Sequence, residues 1–165
     1  MNAELHRRDL LKDLMFQGMH IIPILSQLLV LGSVCPQRKD ENPTFVEAFR
    51  LSTILHLSAL RAKFGVDTVH LEPIYAEKLQ LLLASRWLGH DISSEELGWI
   101  LAVGYTAKCN AEQKSFFGKA LLDHVKESAV PDHARFQERL ESIAWDTNIL
   151  QDQSQDLQKL FLEEA

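Results

Sequence analysis

Histidine is the residue type in this chain with the clearest potential for chemistry. Seven histidines occur in 165 residues: His6, His20, His56, His70, His90, His124 and His133. A metal site on a helix needs ligands three or four residues apart, as in HxxxH or ExxH. Neither pattern occurs, and the DxxH spacing of Asp67 and His70 falls in a predicted connector. The sequence therefore predicts no resident metal and no cofactor.

One metal hypothesis remains, and it requires residues from distant parts of the chain. It combines His20, His56 and Glu47, which a helical bundle is able to bring together although no local motif marks them. His56 lies in the most apolar predicted helix, between Leu55 and Leu57. Burial of an imidazole lowers its pKa and requires hydrogen-bond partners. The simpler interpretation is that His20 and His56 are polar residues of the core.

Residues for covalent catalysis are equally sparse. The chain has no GxSxG turn, no glycine-rich phosphate loop and no cysteine–histidine signature. Cys35 and Cys109 are isolated and show no CxxC spacing. That usage is typical of a reducing compartment, so we expect a cytoplasmic protein. The absence of a catalytic motif favours a protein that is not an enzyme.

The elements that would position these residues begin with a long helix over 10–34. Residues 14–35 carry no charge, which raises the question of a membrane anchor or a secretion signal. However, one stripe of the helix is polar, formed by Asp9, Asp13, Gln17, His20 and Gln27. A lipid-facing span has no reason to bury such a stripe, and a signal peptide lacks acidic residues at its start. We therefore expect an amphipathic core helix and no membrane span.

Helix start and stop signals divide the rest of the chain. Capping boxes are predicted for Thr44 with Glu47, Ser93 with Glu96 and Asn110 with Gln113. Glycines end the second and third helices, and Gly98 and Gly104 within the fourth would permit close helix approach. No segment alternates with the period of a strand. The sequence predicts a single all-α domain over 1–165, a helical bundle of about six helices with long first and last helices.

The last helix, predicted over about 132–163, carries a heptad seam. Its members are Phe136, Leu140, Ile143, Thr147, Leu150, Ser154, Leu157 and Phe161. Two arrangements would bury the seam, namely packing against the first helix of the same chain or homodimerisation through the C-terminal helix. Thr147 and Ser154 are polar, so we expect the seam to be less buried at these two positions.

A candidate partner-binding surface lies on the same predicted helix. Trp145 falls off the seam, so we expect its ring to be exposed, and exposed tryptophan is typical of binding hot spots. Acidic side chains accompany it, and they are Glu138, Glu141, Asp152 and Asp156. Such a surface would attract a basic partner.

Charge narrows the classes of function. The formal net charge is −6 and no basic stripe is visible, so nucleic acid is not an expected partner. The favoured function is a non-catalytic helical protein–protein interaction module, by analogy with small adaptor, immunity or chaperone-like regulatory proteins. The alternative is a small helical enzyme, or a metal- or ligand-binding protein, with a histidine-containing site between helices. A third hypothesis uses residues 10–34 as an amphipathic element at a membrane surface.

Overall fold

A computed structural model describes residues 22–34, 43–63, 72–85, 94–128 and 132–163. These residues form seven helices and no strand, which confirms the prediction of an all-α protein for the described ranges. The helices are α1 (Ile22–Val34), α2 (Pro43–Lys63), α3 (Glu72–Ser85), α4 (Ser94–Thr106), α5 (Ala111–Glu127), α6 (His133–Ile143) and α7 (Gln151–Glu163). Residues 10–21 of the predicted first helix lie outside the described residues.

Helix α4 is the centre of the fold. Every residue from Gly98 to Gly104 is buried, and the helix contacts α2, α3, α5, α6 and α7. Apolar residues are also spread around α2. Helix α2 does bury one side, including Leu51, Ile54 and Leu55, but leaves Val46 38% exposed. Helix α4 is the central helix because its middle turns contain only small or apolar residues.

Close packing of α4 on α5 depends on a glycine. A Cβ atom at Gly104 would lie 2.6 Å from the Cδ1 and Cε1 atoms of Phe117, whose ring is fully buried. At Gly98 the nearest atom would be the Cε2 of Phe136 at 3.2 Å. The prediction that both glycines permit close helix approach is confirmed, and Gly104 is the tighter of the two.

The capping signals have mixed outcomes. Asn110 and Gln113 form the predicted capping box of α5, since each side chain accepts a hydrogen bond from the backbone N–H of the other, at 2.8 and 3.0 Å. The box predicted for Thr44 and Glu47 is wrong. Helix α2 begins at Pro43, and the Glu47 carboxylate accepts hydrogen bonds from Arg50 at 2.6 and 2.7 Å.

The predicted single final helix is wrong, because the structure divides it into α6 and α7. The first of these ends at Ile143, and Asp146 stabilises the turn that follows by accepting hydrogen bonds from the backbone N–H groups of Asn148 and Ile149, at 3.0 and 3.2 Å. An aspartate that binds the backbone two and three residues on stabilises a turn at the expense of helix. The turn allows Trp145, 5% exposed, and Leu150, 1% exposed, to enter the core together.

The heptad seam is buried within one copy of the chain. Helices α6 and α7 pack on α4, whereas α1 packs on α2. Burial lapses at Thr147 as expected, but Ser154 is buried. Among the described residues, the seam packs on α4. Residues 10–21 of the predicted first helix lie outside the described ranges, and homodimerisation stays a prediction. Across the described ranges, no helix combines the length and apolar character needed to cross a membrane.

Candidate functional site

His56 is the described residue whose chemistry the fold alters most. Its imidazole is 8% exposed and lies between two indoles, with ring centroids 5.5 Å from Trp99 and 5.9 Å from Trp145. Helix α2 supplies the histidine, α4 supplies Trp99, and the turn between α6 and α7 supplies Trp145. Burial lowers the pKa of His56 to about 4, because the charged form would lose its hydration. The imidazole is therefore neutral at neutral pH.

The space beside His56 is too small for a substrate. The cavity lined by His56, Thr106, Trp145 and Gln153 has a volume of about 10 Å³, close to the minimum for one water molecule. The Oε1 atom of Gln153 is buried there without a hydrogen-bond partner. This geometry suits a packed polar core residue. It gives no support to the alternative of an enzyme or ligand-binding protein that works through His56.

The structure does not bring the Glu47 and His56 of the metal hypothesis together. Glu47 and His56 lie on the same helix nine residues apart, a rise of about 14 Å along the axis. Glu47 is engaged by Arg50, whose Nη1 also donates to the backbone oxygen of Leu28 at 2.7 Å and so ties α1 to α2. His20 lies outside the described residues. Within the ranges that the structure describes, no three histidine, cysteine or acidic side chains are grouped as metal ligands.

Trp145 is not on the surface, so the prediction of its exposure is wrong. The indole Nε1–H donates a hydrogen bond to the Ser154 hydroxyl at 3.0 Å. This bond links the turn to α7, and the ring closes over His56. Whether Trp145 binds a partner stays a prediction, but an exposed ring no longer supports it.

The four acidic residues of the predicted partner surface lie beside local partners. Glu138 is 3.1 Å from Arg135, and Glu141 accepts hydrogen bonds from Gln137 and Thr147. Asp152 binds Lys63 of α2, and this ammonium lowers the pKa of its carboxyl group. Asp156 lies 3.4 Å from Lys114 of α5 and 3.5 Å from Lys159. These carboxylates are thus divided between different neighbours and do not present one uncompensated acidic face.

A larger opening lies between α5 and α7, and we call it the lysine cleft. It has a volume of about 630 Å³, within the usual range of ligand sites, which is about 300–1,000 Å³. Its lining includes three lysines, one aspartate and several small or apolar residues: Lys114, Lys119, Lys126, Asp123, Tyr105, Ala111, Ser115, Gly118, Leu122 and Leu160. The excess of lysine is notable because the whole chain carries a net charge of −6.

One wall of the lysine cleft is fixed by contacts to its neighbours. The Lys114 ammonium lies 5.0 Å from the centre of the Tyr105 ring and 3.4 Å from Asp156. Gly118 lets this wall come close, since a Cβ atom there would lie 3.2 Å from the Tyr105 ring and 3.5 Å from Leu160. A ring packed against a helix backbone keeps its position, so this side of the cleft is preformed.

The opposite rim is formed by α5 alone. Lys119, Asp123 and Lys126 are exposed there. Sequence reasoning overlooked the lysine cleft because three lysines spread over thirteen residues do not resemble a basic patch. The available signal was the spacing of Ala111, Ser115, Gly118 and Leu122, four then three then four, which marks one face of a helix.

Comparison with known proteins adds no assignment. No protein-family model, no curated protein and no solved structure matches the chain.

Proposed function

We propose that this protein is a non-catalytic helical interaction module that binds another protein through the lysine cleft. The observation that carries the proposal is the cleft itself, an open cavity of about 630 Å³ with three lysines on an otherwise acidic chain. A concave surface with an apolar floor and charged rims is suited to specific binding. The sign of the charge is opposite to that of the acidic surface expected from the sequence.

Two further features support binding rather than catalysis. The cleft has no histidine and no cysteine in its lining, and these are the side chains that most often serve as catalytic base and thiol nucleophile. His56, the group with the strongly lowered pKa, lies in a cavity of about 10 Å³ that a substrate does not fit. Homodimerisation through the C-terminal helix has less support, because the seam that suggested it is buried within one chain.

Affinity purification of the tagged protein from its native host, with a cleft variant beside the wild type, tests this function. The double variant Lys119→Glu/Lys126→Glu reverses the charge of the exposed rim. Lys78→Glu/Arg135→Glu is the matched control, since it makes the same change in net charge on α3 and α6. Arg135 is the third residue of α6, where a glutamate is compatible with the helix N-terminus. Far-UV circular dichroism of each variant checks that the fold is retained.

The expected result is one protein that co-purifies in stoichiometric amount with the wild type and the control. Mass spectrometry should find its yield lowered at least about tenfold with the rim variant, because opposite charges across an interface become like charges. Equal recovery with all three proteins would show that the cleft is not the binding surface. Recovery of the protein alone, at high yield, would contradict the interaction function.

A further inference from the structure

The shape and charge of the lysine cleft also indicate what kind of partner segment it accepts. We propose that the cleft binds an acidic amphipathic helix of the partner protein, which lies along α5 with its apolar side on the cleft floor. This inference rests on the proposed function, and it names the chemistry of the segment that binds.

The floor of the cleft has the dimensions of a helix-packing surface. Ala111, Ser115 and Leu122 lie on one face of α5, and the first two are small and exposed. From Ala111 to Leu122 the face extends about 16 Å along the helix, or about three turns. Tyr105 and Leu160 border it with further apolar surface. Small residues in such a face allow an incoming helix to approach closely, with larger apolar side chains filling the space above them.

The lysines occupy positions that flank this face on both sides. At about 100° per residue, Lys114 lies on the α7 side of the face, whereas Lys119 and Lys126 lie on the opposite side. In paired helices, residues flanking an apolar seam form ion pairs with residues flanking the seam of the partner. Lys119 and Lys126 therefore fit a partner helix that carries glutamate or aspartate on the flank that faces them, whereas Lys114 on the other flank already lies 3.4 Å from Asp156.

Other occupants fit the cleft less well. A small inorganic anion would leave most of the volume of about 630 Å³ unfilled and would face an apolar floor. Nucleic acid is opposed by the net charge of −6. The chain's own segments outside the described residues carry at most one net negative side chain each, and 1–21 contains as many basic as acidic residues. Charge complementarity thus favours a separate, acidic partner.

Two synthetic peptides test the inference directly. Both have three heptads with leucine at the seam positions; one carries glutamate at the flanking positions and the other carries lysine. Repulsion between like flanks disfavours self-association of either peptide. Fluorescence anisotropy of labelled peptide measures binding to the full chain, and circular dichroism reports whether the peptide becomes helical.

We expect the glutamate peptide to bind and to gain helicity, and the lysine peptide to bind at least about tenfold more weakly. Lys119→Glu/Lys126→Glu should reverse the preference between the peptides. Ser115→Trp should block both peptides by filling the floor without a change in charge, whereas Lys78→Glu/Arg135→Glu should bind the glutamate peptide like the wild type. Binding should weaken as salt is raised, because exposed charge pairs are screened.

Several outcomes would overturn the inference. These are equal binding of the two peptides, unchanged binding by Ser115→Trp, and displacement of the glutamate peptide by millimolar inorganic phosphate or by duplex DNA. If neither peptide binds while the rim variant still loses its partner in the purification experiment, the helical segment is refuted but the proposed function stands. If the purification yields no partner and neither peptide binds, both are refuted.

Discussion

The buried His56 should make the stability of this fold depend on pH. Burial lowers its pKa in the folded protein from 6.5 to about 4. In the unfolded chain the imidazole is hydrated and its pKa returns to about 6.5. Between these values the unfolded chain binds a proton that the folded protein does not. The free energy of unfolding should therefore fall as the pH falls from about 6.5 towards 4, and this contribution should vanish above that range.

The size of the effect follows from the gap between the two pKa values. One pKa unit corresponds to about 1.4 kcal/mol. At pH 4 the imidazole of His56 is protonated in the unfolded chain and only about half protonated in the folded protein, so the free energy of unfolding is lower by about 3 kcal/mol. At pH 5 the loss from this one residue is about 2 kcal/mol, a large fraction of the stability of an ordinary domain, about 5–15 kcal/mol. The measurement is therefore best made at pH 5 and at pH 7.5.

His56→Phe is the matched variant, because it keeps an aromatic ring between Trp99 and Trp145 but removes the titrating group. Urea unfolding of both proteins, followed by circular dichroism at the two pH values, gives the difference directly. Other groups titrate equally in both proteins and cancel. We expect the wild type to lose about 2 kcal/mol more than the variant between pH 7.5 and pH 5. Equal losses would refute the description of His56 as a buried, neutral imidazole.

Two further predictions concern the packing of the core. Gly104→Ala places a methyl group 2.6 Å from a fully buried ring. Overpacking of this kind costs about 1–3 kcal/mol, against about 1 kcal/mol gained in helix propensity, so urea unfolding should show a net loss of up to about 2 kcal/mol. Gly98→Ala is the control and should change the free energy of unfolding by less than about 1 kcal/mol. An equal loss in the two variants would contradict the tighter contact at Gly104. Ser154→Ala leaves the Trp145 indole N–H buried without its acceptor. It should cost about 1–2 kcal/mol in the same assay, and unchanged stability would show that this bond contributes nothing.

Local signals in the sequence were reliable at some positions, although the capping box predicted for Thr44 and Glu47 was wrong. The capping box of Asn110 and Gln113 joins groups three residues apart, and the structure contains both of its hydrogen bonds. Close approach of a neighbouring helix at Gly104 was likewise expected, because a missing side chain within an apolar helix face leaves room for a neighbour. Heptad spacing was less reliable. The heptad pattern continued through residues 144–150, where the structure has a turn that Asp146 stabilises by accepting two backbone hydrogen bonds.

The sequence by itself determined that the described chain is helical, since apolar periodicity and capping depend only on residues a few positions apart. Only the tertiary structure decided which side chains meet. Trp145 is buried because a turn directs it towards His56 and Ser154, and Asp152 and Asp156 are compensated by lysines from α2 and α5. The lysine cleft arises in the same way, from α5 and α7 placed side by side with Tyr105 and Leu160 between them. Contacts of this kind join residues that are far apart in the chain, and local sequence patterns do not show which of those residues lie close together in the fold.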